Sequence, residues 1–153
     1  MNLTLCGSIA FINEMDSLRQ QLESLGHVVK MPPMQERIGE NGEHISAEEY
    51  YNHKKEAGTD PTHWIWTHHG DCITMHFQKV DWSDAIVVLN LDKNGIAGYV
   101  GPNTLMEMGL AFHLGKPIFL MNPIPQISYF EELIGMKPIV LNGDLSLIPS
   151  TLV

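Results

Sequence analysis

DAIVVLNLDKNGIAGYVGPNTLMEMGLAFHLGKPIFLM, residues 84–121, places a strand, a loop, a helix and a second strand in one stretch. Asp84–Leu91 is the clearest strand of the chain, a short and nearly continuous apolar run. Gly101-Pro102-Asn103-Thr104 is a helix start signal, and Gly115 followed by Pro117 is a stop. Leu105, Met106, Met108, Leu110, Ala111, Phe112 and Leu114 make the helix apolar nearly all round, which predicts burial on every side. Glu107 sits inside it, with Asn103 and Thr104 on one side at helical spacing and Leu110, Ala111 and Leu114 on the other. Pro117–Met121 returns as a strand.

The same alternation runs outward from this stretch. Asn2–Cys6 is a buried-strand run that stops at Gly7-Ser8. A helix follows from Asn13 to Leu25, with Met15, Leu18, Leu22 and Leu25 on one face and Gly26 as its C-cap. His27–Met31 is a second strand, ended by Pro32-Pro33. Residues 35–62 are polar and Gly-punctuated, with one helix over Ser46–Glu56 that opens on a Ser46/Glu49 capping box. As a lid, an oligomer arm or a partly disordered segment, this region stays open. Gly70–Trp82 reads as helix, Tyr129–Leu133 as a helical turn and Pro138–Leu141 as a last strand. Apolar strands separated by helices indicate a parallel sheet covered on both faces. The expected fold is α/β: a doubly wound, five-stranded parallel sheet in a flavodoxin-like or Rossmann-like three-layer sandwich, one domain over residues 1–153.

Composition narrows the function. A formal net charge of −9 disfavours nucleic acid and anionic membrane as partners, since both reward clustered Lys and Arg. No apolar run is long enough to span a bilayer, and the N-terminus has no signal-peptide pattern. Cys6 and Cys72 make no disulfide framework. The expectation is a cytoplasmic, reduced protein.

In doubly wound sheets ligands bind beyond the carboxyl ends of the strands, where strand order reverses. Those ends are Gly7-Ser8, the loop from Asn90 to Gly101, and Asn122-Pro123. Glu107 lies near the start of a helix leaving that edge. It is either a carboxylate satisfied within the core or a nucleophile held by packing, and the helix N-terminus would favour its ionised form. Gly7, Ser8 and Ile9 offer amides and a hydroxyl to polar oxygens, or serve turn geometry alone. Asn90, Asp92 and Asn94 can bind hydroxyls and Tyr99 can stack on a ring, or Asp-Lys-Asn-Gly is simply a turn. There is no G-x-G-x-x-G and no Walker A run. HWIWTHHGDCITMH, residues 63–76, gathers His63, His68, His69 and His76 with Asp71 and Cys72, but at no metal-motif spacing. Aromatic and imidazole lid residues are expected there rather than a metal site, with Trp64 and Trp66 facing a base or an oligomer interface.

CGSI after the first strand, the strand DAIVVLN, and a helix reading N-T-x-x-E-x-G-x-A-x-x-x-G-K-P together resemble the nucleoside 2-deoxyribosyltransferase superfamily. CGSI is similar in particular to its nucleoside 5′-monophosphate N-glycosidases. The resemblance implies Glu107 as nucleophile at the anomeric carbon, a glycosyl-enzyme ester, and resolution by water or a second base. It implies His76 or Asp92 as proton donor to the base; His76 stands about where the family carries an aspartate. Ser8, Asn90 and Asn103 would form the sugar shell, and Gly7, Ile9, Tyr99, Thr104 and Asn122 complete the expected binding set. A nucleoside or nucleotide substrate, no cofactor and a homodimer or larger homo-oligomer are implied. Where the monophosphate enzymes carry an arginine and glycines after CGSI, Ala10, Phe11 and Ile12 stand here. A non-catalytic nucleotide-binding or sensing domain, and an interaction scaffold with a structural Glu107, are the other readings.

Overall fold

The computed structural model describes residues 1–34 and 37–151. In chain order its elements are β1 (Asn2–Gly7), a 3-10 turn (Ile9–Phe11), α1 (Ile12–Ser24), β2 (Val28–Lys30), β3 (Arg37–Ile38), β4 (His44–Ile45), α2 (Ala47–Ala57), α3 (Ile65–Trp82), β5 (Ala85–Leu89), α4 (Pro102–His113), β6 (Ile118–Leu120), α5 (Phe130–Gly135), β7 (Ile139–Val140) and a second 3-10 turn (Leu145–Leu147).

Five strands form one parallel sheet in the order β2-β1-β5-β6-β7. This is the expected doubly wound sheet, in the flavodoxin-like order, and it reverses direction between β1 and β5. Side chains alternate along the two central strands. Leu3, Leu5, Ala85, Val87 and Leu89 pack with Met15, Leu18 and Leu22 of α1. Cys6, Ile86 and Val88 point the other way, against Val80 of α3, Met108 and Ala111 of α4 and Leu133 of α5. Three layers follow directly from that alternation.

Three local differences from the sequence expectation matter for the site. First, α3 begins at Ile65, five residues before Gly70: Ile65 is fully buried, and the helix runs on through the glycine. Second, β3 and β4 pair as a short antiparallel hairpin inside the polar segment. Third, α4 is not buried all round. Thr104, Glu107, Met108 and Ala111 form its buried stripe, whereas Met106, Phe112 and Leu114 are 43%, 54% and 39% exposed. Its inner face is one stripe at i, i+3, i+4, i+7 spacing, and the carboxylate belongs to that stripe.

The polar segment packs as a wall. Ile45, Tyr50, Ala57 and Ile65 form a small third core, with Ile9, Trp64, Trp66 and Cys72 against it. The Ser46/Glu49 capping box is present at the start of α2. Lys116, the lysine of the G-K-P run, donates to the carbonyls of Val80, Asp81 and Ser83 at the C-terminal end of α3. That accounts for it as a helix-end ligand. No described helix is long and apolar enough to cross a membrane.

Candidate active site

A cavity of about 520 Å³ opens where strand order reverses, at the carboxyl ends of β1 and β5. That is the size of a small-molecule site. Its floor is the turn after β1 (Gly7, Ser8, Ile9) and the first turns of α4 (Asn103, Thr104, Glu107). One wall is α3, whose Cys72, His76 and Lys79 recur at helical spacing. The polar segment supplies the opposite wall with Arg37, Tyr50, Tyr51 and Lys54, and the loop after β5 adds Lys93 and Tyr99.

Glu107 is 9% exposed. Oε1 lies 3.7 Å from His76 Nε2, and Oε2 is buried without a partner among the described residues. Burial pushes the carboxyl up to about 8, while the Cys6 thiol and the positive charge of Lys79 pull it back. The expectation that the helix N-terminus ionises this group is therefore corrected. Glu107 stands beyond the first turn of α4, where the helix field has faded, and desolvation wins.

His76 is pushed the other way, down to about 3, by burial first and then by the charges of Lys79 and Arg37. At neutral pH the Glu107–His76 contact is thus one between an uncharged acid and an uncharged imidazole, not an ion pair. Cys6 Sγ, fully buried, lies 3.5 Å from His76 Nε2, and burial raises its thiol well above the usual range. Cys6, His76 and Glu107 offer donor atoms within 4.8 Å of one another. Thiol, imidazole and carboxyl are zinc-type donors. Residues 6, 76 and 107 are too scattered for any spacing motif to have revealed them.

The remaining expected residues divide into two groups. Gly7, Ser8, Ile9, Tyr99, Asn103 and Thr104 line the cavity together with Glu107 and His76. Gly7 also has a packing reason, since a Cβ there would meet Leu89 O at 2.9 Å. Ser8 Oγ accepts from Ala10 N at 3.4 Å and from Lys93 Nζ at 2.7 Å. Asn90, Asp92 and Asn122 lie outside these walls. Asn90 is wholly buried; its Nδ2 faces the carbonyls of Gly98, Asn122 and Pro123 at 3.2, 3.0 and 3.1 Å, and its Oδ1 accepts from Asn122 N at 2.9 Å. Asp92 Oδ1 accepts from Gly98 N at 2.9 Å and closes its own loop. Asp92 and Asn122 border a separate, smaller cleft. Trp66, His68 and His69 line the main cavity, whereas Trp64 is outside that lining, edge-on to His53 and His68 and tilted against His63.

Sequence reasoning missed the basic residues of the cavity. Only Lys79 carried a signal, its spacing from Cys72 and His76 on α3.

No family model and no curated protein matches the chain. Among solved structures, the CMP N-glycosidase of Clostridium botulinum aligns over 92% of this chain and 85% of its own, with a TM-score of 0.50 and 15% identity. This chain shares the fold of that enzyme. A 2-deoxyribosyltransferase of Bacillus psychrosaccharolyticus also aligns, over 80% of this chain and 73% of its own, with a TM-score of 0.49 and 19% identity. On this fold, the buried acid of α4 faces the crevice at the switch point.

Proposed function

We propose that the protein cleaves or exchanges the N-glycosidic bond of a nucleoside or nucleotide derivative, with Glu107 as its nucleophile. One observation carries this reading: a rigidly packed carboxyl, with one oxygen unpartnered, at the floor of a ligand-sized cavity. A buried acid left half-satisfied is costly to stability, and a reacting atom is what would complete it.

In the proposed reaction Glu107 attacks the anomeric carbon as the carbon–nitrogen bond breaks and its electron pair leaves with the base. The carboxyl must shed a proton to attack, and the base must gain one to leave. Glu107 holds that proton in the empty cavity, and His76, uncharged and 3.7 Å away, is within reach to relay it once the contact tightens around substrate. Asp92, tied to Gly98, is given no part. The glycosyl ester is then resolved by water or by a second base. Ser8, Tyr99, Asn103 and Thr104 are the proposed sugar-side contacts. The exposed apolar residues of α4, Met106, Phe112 and Leu114, support self-association.

A non-catalytic binding domain is favoured by one fact, that Glu107 holds its proton at neutral pH in the empty cavity. One experiment separates the two. A panel of nucleosides, deoxynucleosides, their 5′-monophosphates and NAD is incubated with wild type and Glu107→Gln, with and without EDTA, and free base is followed by chromatography. Base released by wild type alone, and unaffected by chelator, is expected. Ligand bound equally by both proteins with no base released would establish the binding domain instead. Release abolished by EDTA would move the chemistry to a metal on Cys6, His76 and Glu107.

A further inference from the structure

The basic side chains facing the cavity are out of proportion to the rest of the chain. Arg37, Lys54, Lys79 and Lys93 are four of the nine Lys and Arg residues, whereas among the described residues Asp71 and Glu107 are the only acidic side chains lining the same walls. An acidic protein has turned its positive charge inward, and three of these cations gather on two neighbouring tyrosines of α2. Arg37 Cζ lies 4.7 Å and Lys54 Nζ 5.6 Å from the Tyr50 ring centroid, and Lys93 Nζ lies 5.2 Å from that of Tyr51.

Arg37 is 8% exposed, and no carboxylate among the described residues pairs with it. Its Nη1 reaches the Cys72 sulfur at 3.5 Å, and its Nε has no partner among the described residues. A guanidinium taken out of water without a counter-charge is costly. Its neighbours add to the cost: Lys54 is held below the usual lysine range by burial, then by the charges of Arg37 and Lys93. A methionine would fill the same place against Tyr50 without the penalty. A cluster of unpaired cations on an aromatic floor, open to a cavity, is chemistry waiting for an anion, and the arginine fork matches phosphate oxygens in pairs.

We propose that the end of the cavity walled by the polar segment, its lid, is an anion site, built by Arg37, Lys54 and Lys93, that takes the phosphate of a substrate whose other end meets Glu107. The identity of the molecule carrying the phosphate rests on the glycosyl chemistry proposed above; the anion site itself does not. Ala10, Phe11 and Ile12 bring no cation to the turn after β1, and Lys93 supplies one there by reaching Ser8 Oγ at 2.7 Å. Lys79 is the cation that bears on the Glu107 proton, so the phosphate cradle and the acid are separate parts of one cavity.

The test is a calorimetric titration with orthophosphate of wild type, Glu107→Gln, Arg37→Met and Lys54→Met, followed by ribose 5-phosphate and ribose. Saturable orthophosphate binding is expected in wild type and unchanged in Glu107→Gln. It should weaken by about tenfold or more in each cation variant, the loss of one charge-assisted contact. Ribose 5-phosphate should bind about tenfold more tightly than orthophosphate, while ribose binds too weakly to measure. Without phosphate, both cation variants should melt at or above the wild-type temperature, because an uncompensated charge has been removed. No saturable phosphate binding in wild type, or undiminished binding in both cation variants, overturns the site. An Arg37→Met protein that melts well below wild type, beside a Lys54→Met protein that binds phosphate normally, makes Arg37 structural and also overturns it. Phosphate binding with no gain for the sugar phosphate overturns the assignment to substrate. The titration reads no turnover, so a protein that binds phosphate but releases no base fails the glycosyl reading alone.

Discussion

The floor of the cavity and its lid are built by opposite means. At the floor, Glu107 of α4 meets His76 of the adjoining α3 wall, with Cys6 of β1 buried against that histidine, and burial holds the thiol and carboxyl protonated and the imidazole uncharged. At the lid, Arg37 of β3 and Lys54 of α2 stand beside the Tyr50 ring. The floor gains precision from rigid neighbours and a dry environment. The lid gathers charge that the rest of the molecule would repel or pair. Chemistry on a fixed frame and selection on a segment outside the sheet is a division that doubly wound folds permit, since their ligand crevice lies outside the sheet.

Four changes test that division, in descending size. Glu107→Gln should lower base release by about a thousandfold or more, the scale for removing a nucleophile, while orthophosphate still binds at the lid. A comparable loss of phosphate binding would show that the two ends act as one unit. Asn90→Ala should cost about 2–4 kcal/mol in urea unfolding, because several buried groups lose partners at once. Activity per folded molecule should survive, which would mark Asn90 as scaffold. Loss of activity at unchanged stability would return Asn90 to the substrate shell.

The third test is pH. The native Glu107 carboxyl, at about 8 against 4.5 unfolded, binds a proton that the unfolded chain releases over that interval. Its contribution is therefore full below pH 4.5 and is lost as pH rises through about 8. His76 runs oppositely: at about 3 against 6.5, its contribution is full above pH 6.5 and is lost as pH falls toward 3. Glu107→Gln should abolish the decline on the alkaline side and leave the acid side intact, as read by urea midpoints from pH 4 to 9. In wild type, kcat/KM should hold up to about pH 8 and fall above it, because the proton that Glu107 carries in the free enzyme is the one relayed to the leaving base. A flat profile would disconnect the carboxyl from the rate. Smallest of the four, Ser46→Ala removes the cap of α2 and should cost about 1 kcal/mol, raising KM for phosphorylated ligands while kcat holds.

The floor was legible in the sequence and the lid was not, for physical reasons. Strands β1, β5 and β6 are continuous apolar runs, and α4 is bracketed by local start and stop signals, so near neighbours determine each element. Glu107 stood out because one charge interrupted an apolar helix. The same reasoning overestimated the burial of α4, since an apolar side chain such as Phe112 reads as core whether or not anything covers it. Asn90 and Asp92 carried the right groups for hydroxyl recognition, but an amide that ties two loops together has the same letter as one that binds a sugar. Arg37 and Lys54 lie seventeen positions apart in a polar stretch without periodicity. Their meeting on Tyr50 depends on a hairpin of two-residue strands and on the orientation of α2, which no local pattern encodes.

The central claim is that Glu107 becomes covalently bound to the sugar. The most direct measurement is intact and peptide mass spectrometry of wild-type protein acid-quenched during turnover of whichever panel member releases base. The account expects a mass increase equal to the glycosyl residue on the peptide containing Glu107, absent from Glu107→Gln. Base released at an undiminished rate by Glu107→Gln, or an adduct mapped to any other side chain, would contradict it.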